Sequence, residues 1–182
     1  MPQPISKINN KKILELNTRK RIYESVKMFA GSNFREIVKR SKLSNGVTRY
    51  HLHYLIRHKL IKQESKGNSV VYFPIEFKSE NSKLLSLLRQ NSLRRIILFI
   101  LTNNNCEHSQ IVNFTKLSPS TVTWHLKKLE MEKIITSSKL GRNKNYKLLV
   151  NNDEVVNLLI TYRESFFDSL VDNIIETWDF IS

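Results

Sequence analysis

The spacing of apolar positions along this chain changes several times, and each change marks an element. From Thr18 to Phe29 and from Ser92 to Asn103 they recur every three or four residues, which predicts two amphipathic helices. Shorter helical patterns cover Phe34–Ser41 and His108–Thr115. A tight turn follows each, then a helix over Asn45–His58 or Pro119–Glu132. Ser118 before Pro119 is a strong helix start, because the hydroxyl accepts from an orphan amide and proline loses no bond in the first turn. Two β-prone runs close each series. They are Leu60–Ser65 with Val70–Pro74 around KGNS, and Ile134–Ser138 with Asn145–Val150 around KLGRNK, which predicts hairpins with Gly67 and Gly141 at their tips.

The same order thus occurs twice. A shift of 74 residues aligns 18–74 with 92–148 without a gap, matching Arg21/Arg95, Ile22/Ile96, Ile37/Ile111, Lys42/Lys116, Leu43/Leu117 and Ser44/Ser118. The match runs on through His51/His125, Leu52/Leu126, Leu55/Leu129, Lys59/Lys133, Gly67/Gly141 and Tyr72/Tyr146. So long a period fits two small domains better than a solenoid of short units.

Helix, helix, turn, helix, hairpin is the order of a winged helix-turn-helix. TVTWHLKKLEMEKII with the basic, glycine-containing wing after it resembles the MarR/ArsR-like winged-helix regulators. VTRYHLHYLIRHKLI is similar to the first unit of archaeal regulators that carry two such domains in tandem. The resemblance covers 18–182, including RESFFDSLVDNIIETW. It implies a mainly α fold with small β-hairpin wings, two tandem winged helices and a C-terminal helical dimerisation segment. The expected divisions are a basic flexible arm over 1–17, a first winged helix over 18–76, and a linker with a short helix over 77–91. A second winged helix over 92–150 and an acidic amphipathic helix over 151–182 complete the chain. The function implied is that of an archaeal, cytoplasmic, sequence-specific transcriptional regulator of double-stranded DNA. Winged helices also serve as docking modules in the basal transcription machinery, and binding of RNA or single strands is a third reading.

Charge supports an anionic partner. The net charge is +14 and the pI about 10.0. Residues 1–74 carry +12, residues 75–150 carry +8 and residues 151–182 carry −6, so the last segment has a different task. The longest apolar run, IILFIL from Ile96, is too short to span a bilayer, and the N-terminus lacks the apolar stretch of a signal peptide. No membrane partner is expected. A single cysteine, Cys106, offers neither a disulfide nor a metal quartet. His51 and His53, two residues apart, point to different faces of a helix. No nucleophile–base pair, phosphate loop or carboxylate dyad stands out, so neither enzyme activity, metal nor cofactor is expected.

The third helix of each repeat is the expected reader. Val122, Leu126 and Leu129 form its inward stripe in the second repeat, with His125 beside them. Ser120, Thr121, Thr123, Trp124, Lys127 and Lys128 fall elsewhere. The matching set in the first repeat is Gly46, Val47, Arg49, Tyr50, His53 and Tyr54. Short polar groups at a helix start come close to base edges, and longer cations reach phosphates. Arg49 suits bidentate contact with guanine, and Thr123 or Val47 suits a thymine methyl. The wings offer Lys66, Lys139, Arg142 and Lys144. Arg19, Lys20, Arg21, Arg94 and Arg95 open the first helices, where cations oppose the helix dipole. That leaves phosphate contact or simple solubility as their reason.

At the C-terminal end, Asn152-Asp153-Glu154 starts a helix. Leu159, Tyr162, Phe166, Leu170, Ile174 and Trp178 recur at spacings of three and four, an apolar stripe expected to join two chains as a homodimer, the alternative being that it folds back to cover the chain's own domains. Leu84, Leu85, Leu87 and Leu88 in the linker are expected to fix the two domains relative to each other.

Overall fold

The computed structural model of the chain describes residues 13–140, 143–166 and 174, leaving aside the side chains of Leu140 and Asn143. Residues 1–12 of the expected arm, residues 141–142 at the wing tip, and Leu170 and Trp178 lie outside the described residues. The chain forms two compact units, 1–81 and 82–182.

In the first unit α1 (Asn17–Met28) leads to β1 (Ser32–Asn33), α2 (Phe34–Ser41) and α3 (Asn45–Arg57). The wing strands β2 (Ile61–Lys66) and β3 (Ser69–Pro74) follow. The second unit begins with α4 (Ser82–Leu88). It then repeats the series as α5 (Asn91–Thr102), β4 (Cys106–Glu107), α6 (His108–Thr115), α7 (Pro119–Met131), β5 (Ile135–Leu140) and β6 (Asn143–Leu148). Every one of these repeated elements starts and ends 74 residues after its counterpart. Register is repeated too: Ser32 pairs Tyr72 as Cys106 pairs Tyr146, and Ile61 pairs Pro74 as Ile135 pairs Leu148. The sheets have three antiparallel strands, in the orders β1-β3-β2 and β4-β6-β5. The two-residue strands β1 and β4 escaped the pattern reading, because so short a run shows no alternation.

Local chemistry explains the breaks. Asn33 and Glu36 form a capping box at α2: the Glu36 amide donates to Asn33 Oδ1 at 3.0 Å and the Asn33 amide to Glu36 Oε2 at 2.9 Å. Ser44 and Ser118 cap α3 and α7 by accepting from Val47 and Thr121 amides. The helix ends use lysine in the left-handed region: Lys42 and Lys116 after α2 and α6, Lys59 and Lys133 after α3 and α7, with φ from 52° to 57°. After α3 the Leu60 amide reaches the Leu55 carbonyl, and after α7 Ile134 reaches Leu129, each at 3.0 Å. Those bonds satisfy carbonyls that the helix leaves orphaned.

The arginines opening α1 and α5, for which phosphate contact and solubility were both open, make contacts within the fold. Arg21 Nη2 donates to the Ser41 carbonyl at 2.5 Å, and Arg95 Nη2 to the Phe114 carbonyl at 3.3 Å. Each guanidinium thereby meets the negative C-terminal end of α2 or α6. Arg19 donates to the Ile13 carbonyl at 2.7 Å and lies 3.7 Å above the Tyr54 ring. Arg94 is buried, donates to the Leu88 carbonyl at 2.8 Å, and sits 5.5 Å from the Phe166 ring.

Two further expectations change. Ile13, placed in a flexible arm, is buried with Ile22, Val26, Ile37, Leu52, Leu55 and Tyr72 in the first core. The described part of the C-terminal stripe is covered within the chain. After α8 (Asn152–Thr161) the chain turns at Tyr162 into a short 3-10 turn, Arg163–Ser165. Leu159 is 0%, Tyr162 7%, Phe166 6% and Ile174 9% exposed within a single chain, so these four dimerisation candidates are already covered. The turn lets Phe166 approach the Arg94 side chain, a contact inside the second unit. The four leucines of α4 are buried as well, and that helix packs on α5 within the second unit.

Candidate nucleic-acid interface

Amphipathicity fixes which sides of α3 and α7 are available. In α3, Thr48, His51, Leu52 and Leu55 are buried; in α7, Val122, Leu126 and Leu129 are. The first turns face outward. Gly46, Val47, Arg49, Tyr50 and His53 are exposed on α3, and Ser120, Thr123, Trp124 and Lys127 on α7. Thr121 and Lys128 are half-buried. Tyr50 and Trp124, at equivalent positions, are 62% and 60% exposed, an unusual placement for large rings. Tyr54, grouped with the outward set from its spacing, instead packs against the first core beneath Arg19.

Several outward groups already have partners. The Lys128 ammonium lies 3.4 Å from Gln90 Oε1 and 5.4 Å from the Trp124 ring. Thr123 Oγ1 donates to the Pro119 carbonyl at 2.9 Å and lies 3.0 Å from His108 Nε2. Arg49 makes no hydrogen bond or ion pair among the described residues, but its guanidinium lies 5.0 Å from the Phe34 ring centre. Phe34 and His108 did not stand out in the sequence as site residues. The signal was the repeat itself, since Phe34/His108 and Arg49/Thr123 are both pairs 74 apart.

On the wings, Lys66 and Lys139 are exposed. Lys144 lies 3.5 Å from Glu130 Oε1 and 5.7 Å from the Tyr146 ring. A surface pair of that length contributes at most about 1 kcal/mol, so the ammonium can exchange it for a phosphate.

Buried His51 and half-buried His125 each contact the exposed ring beside them. His51 stacks edge-on against Tyr50 at 5.1 Å, and His125 against Trp124 at 5.0 Å. Burial, then the Arg19 charge, lowers the pKa of His51; burial, then Lys128, lowers that of His125. Both rings therefore favour the neutral form and act as wedges between the reader and its core. The Cys106 thiol is buried and pushed up to about 11, chiefly by burial, so it stays protonated. Among the described residues no group of three or more His, Cys, Asp or Glu is placed to hold a metal ion.

Comparison with known proteins assigns both units. Residues 16–85 match the model of an N-terminal HTH domain, and residues 91–137 that of the bacterial regulatory protein arsR family. The chain is a tandem of two helix-turn-helix domains. It is 28% identical over 137 residues to an uncharacterized HTH-type transcriptional regulator of Methanocaldococcus jannaschii. That match takes in 75% of this chain and 34% of the relative, so the tandem spans about a third of that protein's length. Two solved structures share 12% identity with it. A Corynebacterium diphtheriae protein has a TM-score of 0.31, over 76% of this chain and 27% of its own. Human N-acetylserotonin methyltransferase has 0.28, over 73% and 44%. Scores so low carry no argument about the tandem's fold or chemistry.

Proposed function

We propose that this tandem is a transcriptional regulator that binds double-stranded DNA in a sequence-specific manner, presenting α3 and α7 to major grooves and the wings to the backbone. One observation carries the reading. Along both exposed reader faces the side chains are small, polar, aromatic or cationic, and α3 contains no acidic residue at all. The sole carboxylate within α7, Glu130, sits in its last turn beside Ser137 and Lys144. Such a face suits base edges and phosphates, and the family matches of both units favour the same role.

Both readers belong to one chain in this proposal. A homodimer would have to use surfaces other than Leu159, Tyr162, Phe166 and Ile174, which the chain covers itself. No described helix is long and apolar enough to cross a membrane, and a cytoplasmic site of action is part of the proposal.

Titration of a labelled duplex against salt tests it. About six to eight phosphate contacts give a log–log slope of roughly −5 to −7. A slope near zero points to protein docking through the exposed Tyr50 and Trp124 rings, and equal affinity for single strands points to the single-strand reading. Either outcome removes the regulator assignment.

A further inference from the structure

The two readers share most of their inward positions, Thr48/Val122 excepted, and differ where they face out. His51, Leu52 and Leu55 recur as His125, Leu126 and Leu129. The outward pairs Gly46/Ser120, Val47/Thr121, Arg49/Thr123, Tyr50/Trp124 and His53/Lys127 contain no identity. One contact in each unit ties an outward position to the first residue of the preceding helix, with different chemistry. It is Arg49 over the Phe34 ring in the first unit and Thr123 against His108 in the second.

We propose that the two units read different bases, the first a guanine through Arg49 and the second a thymine methyl through Thr123, with Phe34 and His108 as positioning residues. The proposal rests on the DNA-reading function above. A guanidinium held over a ring keeps its plane defined while its N–H edge points away. Two parallel N–H groups on that edge match guanine O6 and N7. Thr123 cannot do the same. A hydroxyl has one hydrogen and two lone pairs. The hydrogen goes to the Pro119 carbonyl, which can only accept, so His108 Nε2 must donate into one lone pair. Nothing is left to donate to guanine, so what the exposed Thr123 still offers a base edge is its methyl. The neighbouring hydroxyls are engaged as well: Ser118 Oγ lies 2.7 Å from Thr121 Oγ1 and 3.1 Å from Ser120 Oγ. Thymine C5 carries the apolar group of the major groove, and a methyl-rich surface recognises it.

Selecting duplexes from a random pool with the full chain defines the site, and variants then assign its halves. Replacing the selected guanine should weaken binding by about 10- to 100-fold, and Arg49→Thr with Phe34→His should abolish that preference. Arg49→Lys, which keeps the charge but not the fork, gives the same readout should the double variant fold poorly. Thr123→Val should retain the thymine preference and Thr123→Ser should lose it. Exchanging that thymine for deoxyuridine removes only the methyl. It should cost the parent chain about three- to fivefold and leave Thr123→Ser unaffected. The proposal is overturned if Thr123→Val loses selectivity while Thr123→Ser keeps it, or if both halves of the site share one sequence. Absence of binding to any duplex would instead overturn the regulator reading itself.

Discussion

Leu159→Ala separates a C-terminal segment that completes its own domain from one that joins two chains. Leu159 is fully buried in the single chain, while its neighbour Ile160 is 44% exposed. Truncating leucine to alanine removes three carbons, about 2.4 kcal/mol at about 0.8 kcal/mol each, before any cavity term. With a partly collapsed cavity the cost rises to roughly 3–5 kcal/mol. Ile160→Ala should stay within about 1 kcal/mol of the parent. Both tryptophans, Trp124 and Trp178, belong to the second unit, so their fluorescence follows its unfolding without a contribution from residues 1–81. At a urea slope of about 1–3 kcal/mol/M, the Leu159→Ala midpoint should fall by at least about 1 M. The shift should be the same at protein concentrations tenfold apart, because the side chain is covered within one chain. The reasoning fails if the two variants lose equal stability. It fails also if the parent midpoint rises with concentration and Leu159→Ala removes that dependence, since Leu159 would then lie at a contact between chains.

Three further outcomes follow from contacts within the units. Arg21→Met and Arg95→Met should each destabilise by about 1–2 kcal/mol, through loss of a charged donor at the end of α2 or α6. Both should leave the salt slope of DNA binding unchanged, and a slope reduced by about one would restore these arginines to phosphate contact. Lys144→Ala should weaken all duplexes alike, whereas a change in the selected sequence would make this wing residue a base reader. His51 and His125 have lowered pKa values in the folded chain, from burial and then from Arg19 and Lys128 respectively. The unfolded chain, titrating near 6.5, binds more protons at these sites. Their contribution is therefore complete above 6.5 and falls as pH drops below it. Urea midpoints between about pH 5 and pH 8 should show that acid limb, and His51→Gln with His125→Gln should flatten it. An equally steep limb in the double variant would assign it to other groups.

How much of this was legible beforehand depended on the range of the forces involved. Periodicity, hydroxyl caps and the gapless 74-residue repeat depend on neighbours a few residues apart. The chain alone therefore determined the order of elements, the inward stripe of each reader and the outward position of Arg49, Thr123 and Trp124. Turn chemistry was harder, since lysine rather than glycine occupies the left-handed position after four helices. A closing amide bond after α3 and α7 outweighs the modest penalty of that backbone. The contacts of Arg21 and Arg95 were not legible because their partners, the ends of α2 and α6, lie about twenty residues away in the chain. A charge count cannot separate a guanidinium that caps a distant helix from one that waits for a phosphate. The apolar stripe after Asn152 had the same ambiguity. Periodicity shows that a face must be covered, but whether the cover is another chain or its own second unit is decided only by packing. Here the turn at Tyr162 and the approach of Phe166 to Arg94 bring the cover from within.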